Sequence, residues 1–376
     1  MKKILIVNNN LDMGGIQKSL VNLLKEVHSS YDITLLLFSK SGALLKEVPE
    51  DINIITPNRC YRMLGLTKAE LTKYPFLFCL KSILVKHASI FSRKSAMKIL
   101  GLFQRKIKGY DLVISYSHLF KYKYFANGCA DFVLDKTIAK QKICLVHCDY
   151  LNSGTISAQN NNRYSEFDRI ACCSDSVRKR FLDGSHMSPN KVFTLRNFYD
   201  FSIVKLANQK PHVYEEDKVN LLTVARLSPE KGIDKAIDAL YATGRKNINY
   251  YIIGDGPQRN ALGKKVKNYC MGEQIIFLGE QQNPYQYMLN ADYLLVPSLH
   301  EAAPMVFDEA NILGLPIIST NTTSAREMVA CNGGVISETF DELEKILMNL
   351  KKRKTRKETL MTNEIQIEQL SCLANE

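Results

Sequence analysis

The chain has 376 residues, of which 45% are hydrophobic, which is enough for two domains with buried cores. Its ten cysteines show no metal-ligand spacing, so we expect reduced thiols rather than a disulfide framework or a zinc site. The net charge of +12 suits an anionic partner, but we recognise no nucleic-acid module, no signal-peptide core and no apolar run long enough to span a bilayer.

The positive charge lies in the first half of the sequence. Residues 1–195 contain 29 Lys and Arg and 15 Asp and Glu, a balance of +14, whereas residues 196–376 contain 21 and 23, a balance of −2. Residues 59–108 contain 12 basic residues, one acid and many interleaved large apolar residues. This pattern is typical of basic amphipathic helices on an anionic membrane surface. The alternative is a helical insertion that packs on the domain and exposes its lysines.

Apolar runs alternate with helical patterns along the whole chain, which predicts an α/β fold with parallel sheets and crossover helices. In the first half, a glycine turn and an amphipathic helix at residues 16–27 follow the first strand. The predicted strands of this half are Lys3–Val7, Ile33–Phe38, Ile52–Ile55, Leu112–Ser115, Ile143–His147, Arg169–Cys173 and Val192–Leu195.

The turn after the first strand reads DMGGIQKS and contains Gly14 and Gly15. Two glycines let the backbone approach a ligand closely, with helix N–H groups directed at anionic oxygens. The turn is neither G-x-G-x-x-G nor G-x-x-x-x-G-K-[ST], which disfavours a nicotinamide dehydrogenase or a P-loop protein. An ordinary tight turn is the alternative.

A histidine, His147, ends a predicted strand, and Asp149 follows two residues later. At the carboxyl end of a parallel strand, His147 could donate a hydrogen bond to a sugar hydroxyl or to developing negative charge. A structural histidine is the alternative, and His118 after the preceding strand is a weaker rival.

Polar, weakly periodic residues at 197–218 predict a linker between two domains. We therefore predict an N-terminal domain at 1–196, a C-terminal domain at 219–355, and a tail at 356–376 that could form a helix returning to the N-terminal domain. A helix is predicted from about residue 340 to 351. The predicted strands of the second domain are Val219–Ala225, Tyr250–Ile253, Ile275–Leu278, Tyr293–Val296, Pro316–Ser319 and Gly334–Ile336.

Each half is predicted to form a doubly wound, Rossmann-like sheet, and the two domains are expected to face a central cleft. Ligands of such sheets bind beyond the carboxyl ends of the strands. In the second half, Arg226 and Lys231 follow the first strand and could together bind a pyrophosphate, although solvated surface cations are the alternative. Gly254 follows the next strand in a Gly-Asp-Gly-Pro turn whose role is mostly structural but which could line the cleft.

The most informative motif is HEAAPMVFDEA at residues 300–310, in which seven residues separate Glu301 from Glu309. Glu301 follows an apolar strand, and Glu309 lies in the first turns of the next helix. A helix N-terminus attracts phosphate, and carboxylates beside it can accept hydrogen bonds from ligand hydroxyls. This combination suits a nucleotide-sugar; a solvated helix start with favourable acidic residues is the alternative.

Together these motifs resemble the retaining glycosyltransferases of glycosyltransferase family 4, which have the GT-B fold. The segments that carry the resemblance are KKILIVNNNLDMGGIQKSLVNLL, QKICLVHCDY, VARLSPEKGIDKAIDAL, YIIGDGPQRNAL, LVPSLHEAAPMVFDEANILGLPIIST and SAREMV. Many relatives have Gly-Phe where this chain has Ala302-Ala303, a difference that leaves the backbone N–H groups in place but could alter the sugar pocket.

The resemblance implies a role for each matching position. Gly14 and Gly15 would lie against the donor diphosphate or the reacting sugar, and His147 would contact the donor sugar, with Asp149 orienting it or the acceptor. Arg226 and Lys231 would neutralise the departing diphosphate. Glu301 would contact the donor sugar, and Glu309 would bind the ribose hydroxyls. Backbone N–H groups in the segment Ala302, Ala303, Pro304, Met305 and Val306 would hold sugar and phosphate.

The implied protein is a metal-independent transferase with no resident cofactor that uses a nucleotide-sugar, expected to be a UDP-sugar. Its acceptor would be a glycan or lipid-linked oligosaccharide of bacterial capsule, O-antigen or exopolysaccharide synthesis. The positive charge and the absence of a predicted membrane span suggest a cytoplasmic protein, peripheral at the anionic inner face of the cell membrane. A nucleotide-sugar epimerase of the same fold and a non-catalytic sugar- or membrane-binding protein are the alternatives.

Overall fold

The computed structural model describes residues 1–208, 213–329, 333–353 and 361–375. The chain divides into two compact units. Unit 1 comprises Met1–Phe198 and residues 363–375, and unit 2 comprises Tyr199–Thr362. Each unit is built around one parallel sheet, because its strands are short runs of buried apolar residues that crossover helices cover on both faces.

Unit 1 has a seven-stranded parallel sheet in the order β3-β2-β1-β4-β5-β6-β7. Its strands are β1 (Lys3–Asn8), β2 (Asp32–Leu37), β3 (Asn53–Ile55), β4 (Ile107–Ser115), β5 (Thr137–Val146), β6 (Arg169–Cys172) and β7 (Val192–Thr194). Strands β4 and β5 begin five and six residues before their predicted starts. These early residues alternate between polar and apolar side chains and pair with one another, so they do not read as a buried run.

The helices of unit 1 follow the crossovers predicted by the alternating pattern. They are α1 (Gly15–Val27), α2 (Arg62–Gly65), α3 (Lys68–Leu71), α4 (Pro75–Ile90), α5 (Arg93–Leu100), α6 (Cys129–Lys136), α7 (Ala158–Ser165) and α8 (Asp175–Ser185), together with α16 (Glu364–Asn375). The core beneath α1 includes Leu20, Leu24 and residues of every central strand. Helix α16 adds Leu370 and Leu373 to the same core.

Unit 2 has a six-stranded parallel sheet in the order β10-β9-β8-β11-β12-β13. Its strands are β8 (Val219–Val224), β9 (Ile248–Ile253), β10 (Ile275–Gly279), β11 (Tyr293–Val296), β12 (Ile317–Thr320) and β13 (Val335–Ser337). Its helices are α9 (Ile203–Ala207), α10 (Ile233–Ala242), α11 (Arg259–Asn268), α12 (Tyr285–Asn290), α13 (Met305–Ile312), α14 (Ala325–Met328) and α15 (Phe340–Met348).

The segment predicted as a linker at 197–218 contributes to the core of unit 2. Ile203 and Ala207 on α9 are buried in that core, and Val213 and Tyr214 pack against it. Single apolar residues at irregular spacing anchor this stretch, which is why it reads as polar and weakly periodic. Residues 209–212, and 356–360 of the predicted tail, lie outside the described residues.

A buried ion-pair network joins three helices of unit 1. Asp131 on α6 accepts a hydrogen bond from Arg93 Nε on α5 at 2.8 Å and another from Arg163 Nε on α7 at 3.1 Å. All three side chains are almost completely buried. Arg93 also donates to the backbone carbonyl of Phe120. Arg93 is one of the basic residues in the segment 59–108, but in the structure its side chain is buried.

Candidate functional site

The site in unit 2 is built where the strand order reverses between β8 and β11. Ligands of such sheets bind beyond the carboxyl ends of the strands at this switch point. The loop after β8 contains Arg226 and Lys231, and the loop after β11 contains Glu301. A hydrogen bond joins the two loops, because the N–H of Leu299 donates to the carbonyl of Glu230 at 2.8 Å.

An ion pair between Lys231 and Glu301 crosses the switch point. Lys231 Nζ lies 2.6 Å from Glu301 Oε1, and the Ser298 hydroxyl donates to the same carboxylate oxygen at 2.9 Å. Both charged side chains are partly buried, so water screens the pair less than an exposed pair. The structure therefore brings together a cation and a carboxylate for which the resemblance implies separate roles, on the diphosphate and on the sugar.

Arg226 is the more exposed of the two predicted cations. Its guanidinium nitrogen Nη2 lies 3.0 Å from Glu230 Oε1, and the Ser228 hydroxyl donates to the same oxygen at 2.5 Å. The hydrogen bond from Ser228 is the main cause that lowers the pKa of Glu230. Because the guanidinium is mostly solvent-exposed, it can exchange this carboxylate for an anionic ligand at little cost.

Two glycines allow the loops of the switch point to approach one another. Gly232 has φ +61°, and a Cβ there would lie 2.1 Å from the carbonyl oxygen of Pro297. Gly254, in the loop after β9, has φ +128°, and a Cβ there would lie 2.0 Å from the carbonyl oxygen of Ala225. The predicted ligand residue Gly254 thus packs against the loop that carries Arg226.

Helix α13 begins at Met305, directly after the Glu301 loop. Pro304 precedes it, and no side chain caps this helix end, whose first N–H groups have no partner inside the helix. Ala302, Ala303 and Val306 are half-buried residues around this end. The segment therefore has the backbone geometry that anions favour.

Glu309 lies on the second turn of α13 and is buried. The Tyr285 hydroxyl on α12 donates to Glu309 Oε1 at 3.4 Å. A buried carboxylate costs free energy unless polar groups surround it, and Glu309 lies in the helix whose N-terminus follows the Glu301 loop.

In unit 1 the strand order reverses between β1 and β4. Gly14 is the extended residue that precedes α1, and Gly15 is the first residue of that helix. No side chain caps α1, and a Cβ on Gly14 would lie 2.6 Å from Gln17 Oε1. The glycine turn thus places an uncapped helix N-terminus at the switch point of unit 1, as the uncapped α13 does in unit 2.

His147 follows β5, and its ring centroid lies 5.1 Å from that of Tyr116 after β4. Burial lowers the pKa of His147 to about 3, with a contribution from the neighbouring His118. Burial also lowers the pKa of His118 to about 4, with a contribution from Arg93. Among the described residues, His147 Nε2 and His118 Nδ1 have no hydrogen-bond partner. Both rings are therefore neutral near pH 7.

These two histidines make the stability of unit 1 pH-dependent. Above about pH 6.5 they are neutral in the folded and unfolded states, but below it only the unfolded chain binds their protons readily. The free energy of unfolding should fall as the pH drops from 6.5 towards 4, by on the order of 1 kcal/mol per pH unit for each ring. Urea titrations monitored by circular dichroism at pH 7.5 and 5.5 measure this loss.

The double variant His118→Gln/His147→Gln should show a smaller loss between these two pH values than the wild type. His300→Gln, which removes an exposed histidine, is the control. If the free energy of unfolding fell equally in the wild type and the double variant, the pH dependence could not be assigned to these two histidines.

Asp149 follows β5 but makes local structural contacts. Its carboxylate accepts hydrogen bonds from Arg180 Nε on α8 at 2.6 Å and from Asn152 Nδ2 at 2.9 Å, and Leu151 N–H donates to it at 3.2 Å. These contacts fix the loop that follows His147. The role implied by the resemblance, in which Asp149 orients His147 or the acceptor, stays a prediction.

Sequence reasoning missed three hydroxyl residues of unit 2. Ser298 holds Glu301, and Thr320 at the end of β12 donates to the carbonyl of Ser298 at 2.5 Å. Tyr285, which contacts Glu309, is 24 residues away in sequence. Ser298 lies two residues before the motif, after an apolar strand, and was recognisable, but no local pattern points to Tyr285.

Comparison with known proteins gives matches over part of the sequence. Residues 204–364 match the family model described as Glycosyl transferases group 1. An uncharacterised glycosyltransferase of Methanocaldococcus jannaschii is 25% identical over 169 residues, which are 44% of this chain and 41% of that protein. The amylovoran biosynthesis glycosyltransferase AmsD of Erwinia amylovora is 24% identical over 204 residues, 53% of this chain and 58% of that protein. The chain thus spans about half the length of these curated relatives.

Structural similarity extends over nearly the whole chain. HepE of Anabaena in complex with UDP and glucose has a TM-score of 0.65 at 16% identity, and the match covers 93% of this chain and 89% of HepE. A glycosyltransferase from Rickettsia africae has a TM-score of 0.63 at 14% identity and covers 92% of this chain and 86% of its own. The predicted fold is confirmed: two Rossmann-like parallel-sheet domains, as in GT-B glycosyltransferases.

Proposed function

We propose that this protein transfers a sugar from a UDP-sugar to a hydroxyl of a glycan acceptor. The match of its second unit to group 1 glycosyl transferases supports this proposal. The observation that carries the proposal is the Lys231–Glu301 ion pair at the switch point, directly before the N-terminus of α13. A cation, a helix N-terminus and two carboxylates in one place suit a diphosphate joined to two sugars. The UDP complexes of HepE support UDP as the carrier.

In the proposed reaction, the bond between the anomeric carbon and the diphosphate oxygen breaks, and the diphosphate leaves with the bonding electrons. Lys231, Arg226 and the N–H groups at the start of α13 stabilise the negative charge that accumulates on it. In this proposal these groups neutralise the diphosphate without a metal ion. The acceptor hydroxyl attacks from the face that the diphosphate leaves and gives its proton to an oxygen of the departing diphosphate, so the anomeric configuration is retained.

The neutral His147 contributes a hydrogen bond to a hydroxyl of the donor sugar through Nε2. Glu301 contacts the donor sugar, and Ser298 keeps its carboxylate in position. Glu309 accepts hydrogen bonds from the ribose hydroxyls, with Tyr285 as its support. These roles remain part of the proposal.

The proposed acceptor is a lipid-linked oligosaccharide at the cytoplasmic face of a bacterial membrane. Support comes from AmsD, which is named for amylovoran biosynthesis, and from relatives named for O-antigen biosynthesis in Escherichia coli. The basic character of unit 1 also suits an anionic membrane surface.

Glu309→Ala should weaken UDP binding by roughly 10- to 100-fold, because a charge-assisted hydrogen bond to the ribose is lost. Calorimetry with UDP, GDP and ADP, each with and without a chelator, measures this effect and identifies the nucleotide. Glu273→Ala, at an exposed position of unit 2, should bind as the wild type does.

Wild-type protein that is folded but binds none of the three nucleotides would contradict the proposed donor. Incubation with the UDP-sugar alone separates the alternatives, because an epimerase would release a changed UDP-sugar, whereas a transferase needs an acceptor.

A further inference from the structure

Helix α4 of unit 1 is rich in apolar residues but is covered on only one side. A large apolar face on a helix is usually packed against the rest of the domain. In the structure only Leu84 and Ala88 of α4 are fully buried, where the helix packs on α5, α2 and α3. The opposite side is open among the described residues, although it contains large apolar side chains.

These side chains form a continuous row along the helix, which we call the apolar stripe. Its members are Phe76, Cys79, Ile83 and Ile90, whose spacing of three, four and seven residues places them on one helix face. Phe76 is 71% exposed, Ile83 is 64% exposed and Ile90 is 59% exposed. Single exposed apolar residues are common, but a row of this length marks an interaction surface.

The segment of the chain that contains the stripe is strongly basic. Residues 59–108 contain 12 Lys and Arg, of which nine are exposed: Arg59, Arg62, Lys68, Lys73, Lys86, Lys98, Arg105, Lys106 and Lys108. The only acid of this segment, Glu70, is held in the capping box of α3 by Thr67. More exposed apolar residues follow α4 and α5, namely Phe91, Leu102 and Phe103.

We propose that α4 lies flat on an anionic lipid bilayer, with the apolar stripe among the upper parts of the acyl chains and the nine exposed cations against the headgroups. Apolar area and positive charge together give the two signals that stable surface anchoring requires. At 16 residues, α4 is shorter than the roughly 20 residues that span a bilayer, and no helix of the described residues can cross one.

The positive charge of this segment favours an anionic bilayer, rather than a second copy of this chain, as the partner of the stripe. A two-fold contact through the stripe would bring the nine cations of each copy close to those of the other, and this repulsion opposes association. Anionic headgroups instead neutralise them. The inference concerns a surface of unit 1 and stands independently of the proposed transfer reaction.

Co-sedimentation of the full chain with vesicles tests the inference. We expect binding when a third of the lipid is phosphatidylglycerol and much weaker binding to pure phosphatidylcholine. The triple variant F76S/I83S/I90S should lower the partition coefficient on anionic vesicles by roughly tenfold or more, at low and at high salt. The control Y241S/V335S/M348S removes three exposed apolar residues of unit 2 and should bind as the wild type does.

A charge variant distinguishes the contribution of the positive charge from that of the apolar stripe. K73Q/K86Q/K98Q should bind anionic vesicles several-fold more weakly at low salt, and the difference should disappear at high salt because exposed charges are screened. Circular dichroism checks that each variant is folded. The inference would be overturned if the wild-type protein did not bind anionic vesicles, or if F76S/I83S/I90S bound them as the wild type does. So would a dimer in solution that F76S/I83S/I90S converts to a monomer.

Discussion

Lys231→Ala should lower kcat/KM for sugar transfer by about 100-fold or more, because one preorganised cation at the leaving diphosphate is lost. Lys231 Nζ lies 2.6 Å from Glu301, and this ion pair holds the ammonium at the switch point. The loss should appear mainly in kcat, since the negative charge that Lys231 stabilises develops in the transition state. A coupled assay of UDP release, with the acceptor present, measures both constants.

The chain offers a closely matched control in Lys265. Its ammonium also lies 2.6 Å from a carboxylate, that of Asp238, and the two lysines are similarly exposed, at 26% and 24%. Lys265 belongs to α11, away from the switch-point loops. Lys265→Ala should therefore cost similar stability and leave kcat near the wild-type value. Equal kcat values for the two variants would refute the role of Lys231.

Asp131→Asn should lower the free energy of unfolding of unit 1 by about 3–5 kcal/mol, the largest effect on stability that we expect. The change keeps the shape of the side chain but removes the charge between two buried guanidinium groups. Arg163 retains Asp135 at 2.7 Å, whereas Arg93 is left with neutral acceptors. Chemical denaturation monitored by circular dichroism gives the difference.

Asp111→Asn provides the comparison, because Asp111 pairs with the exposed Lys140 at a similar distance of 2.7 Å. Exposed pairs contribute about 0–1 kcal/mol, so this variant should be nearly neutral. If Asp131→Asn does not fold, the replacement R93M/D131L/D135N/R163M should restore folding, since it removes both guanidinium groups together with the charges of the two aspartates that they neutralise. Equal effects of Asp131→Asn and Asp111→Asn would show that burial does not strengthen the network.

The fold could be predicted because each strand is a local run of buried apolar residues. Strand β8, for example, reads VNLLTV, and the loop that follows it holds Arg226 and Lys231 within a few residues. Since the carboxyl ends of parallel strands share one edge, loops that are distant in sequence can be assigned to the same site. The convergence of Lys231 and Glu301 at one switch point follows from this reasoning.

Long-range polar pairing was not predictable. Arg93 and Asp131 lie 38 residues apart on different helices, and the sequence alone does not distinguish a buried arginine from the solvated cations around it. The contact of Tyr285 with Glu309 depends in the same way on how α12 packs beside α13. Such pairs are determined by three-dimensional packing, whereas strands and turns are determined by their own residues.

The return of α16 to unit 1 has a consequence for synthesis on the ribosome. Leu370 and Leu373 belong to the core of unit 1, and Lys2 Nζ donates to the carbonyl of Ala374 at 2.7 Å. The nascent first unit must therefore wait with an incomplete core while Tyr199–Thr362 is translated. At about 5–20 residues per second, this wait lasts on the order of ten to thirty seconds. During that time the uncovered apolar surface is a natural substrate for chaperones.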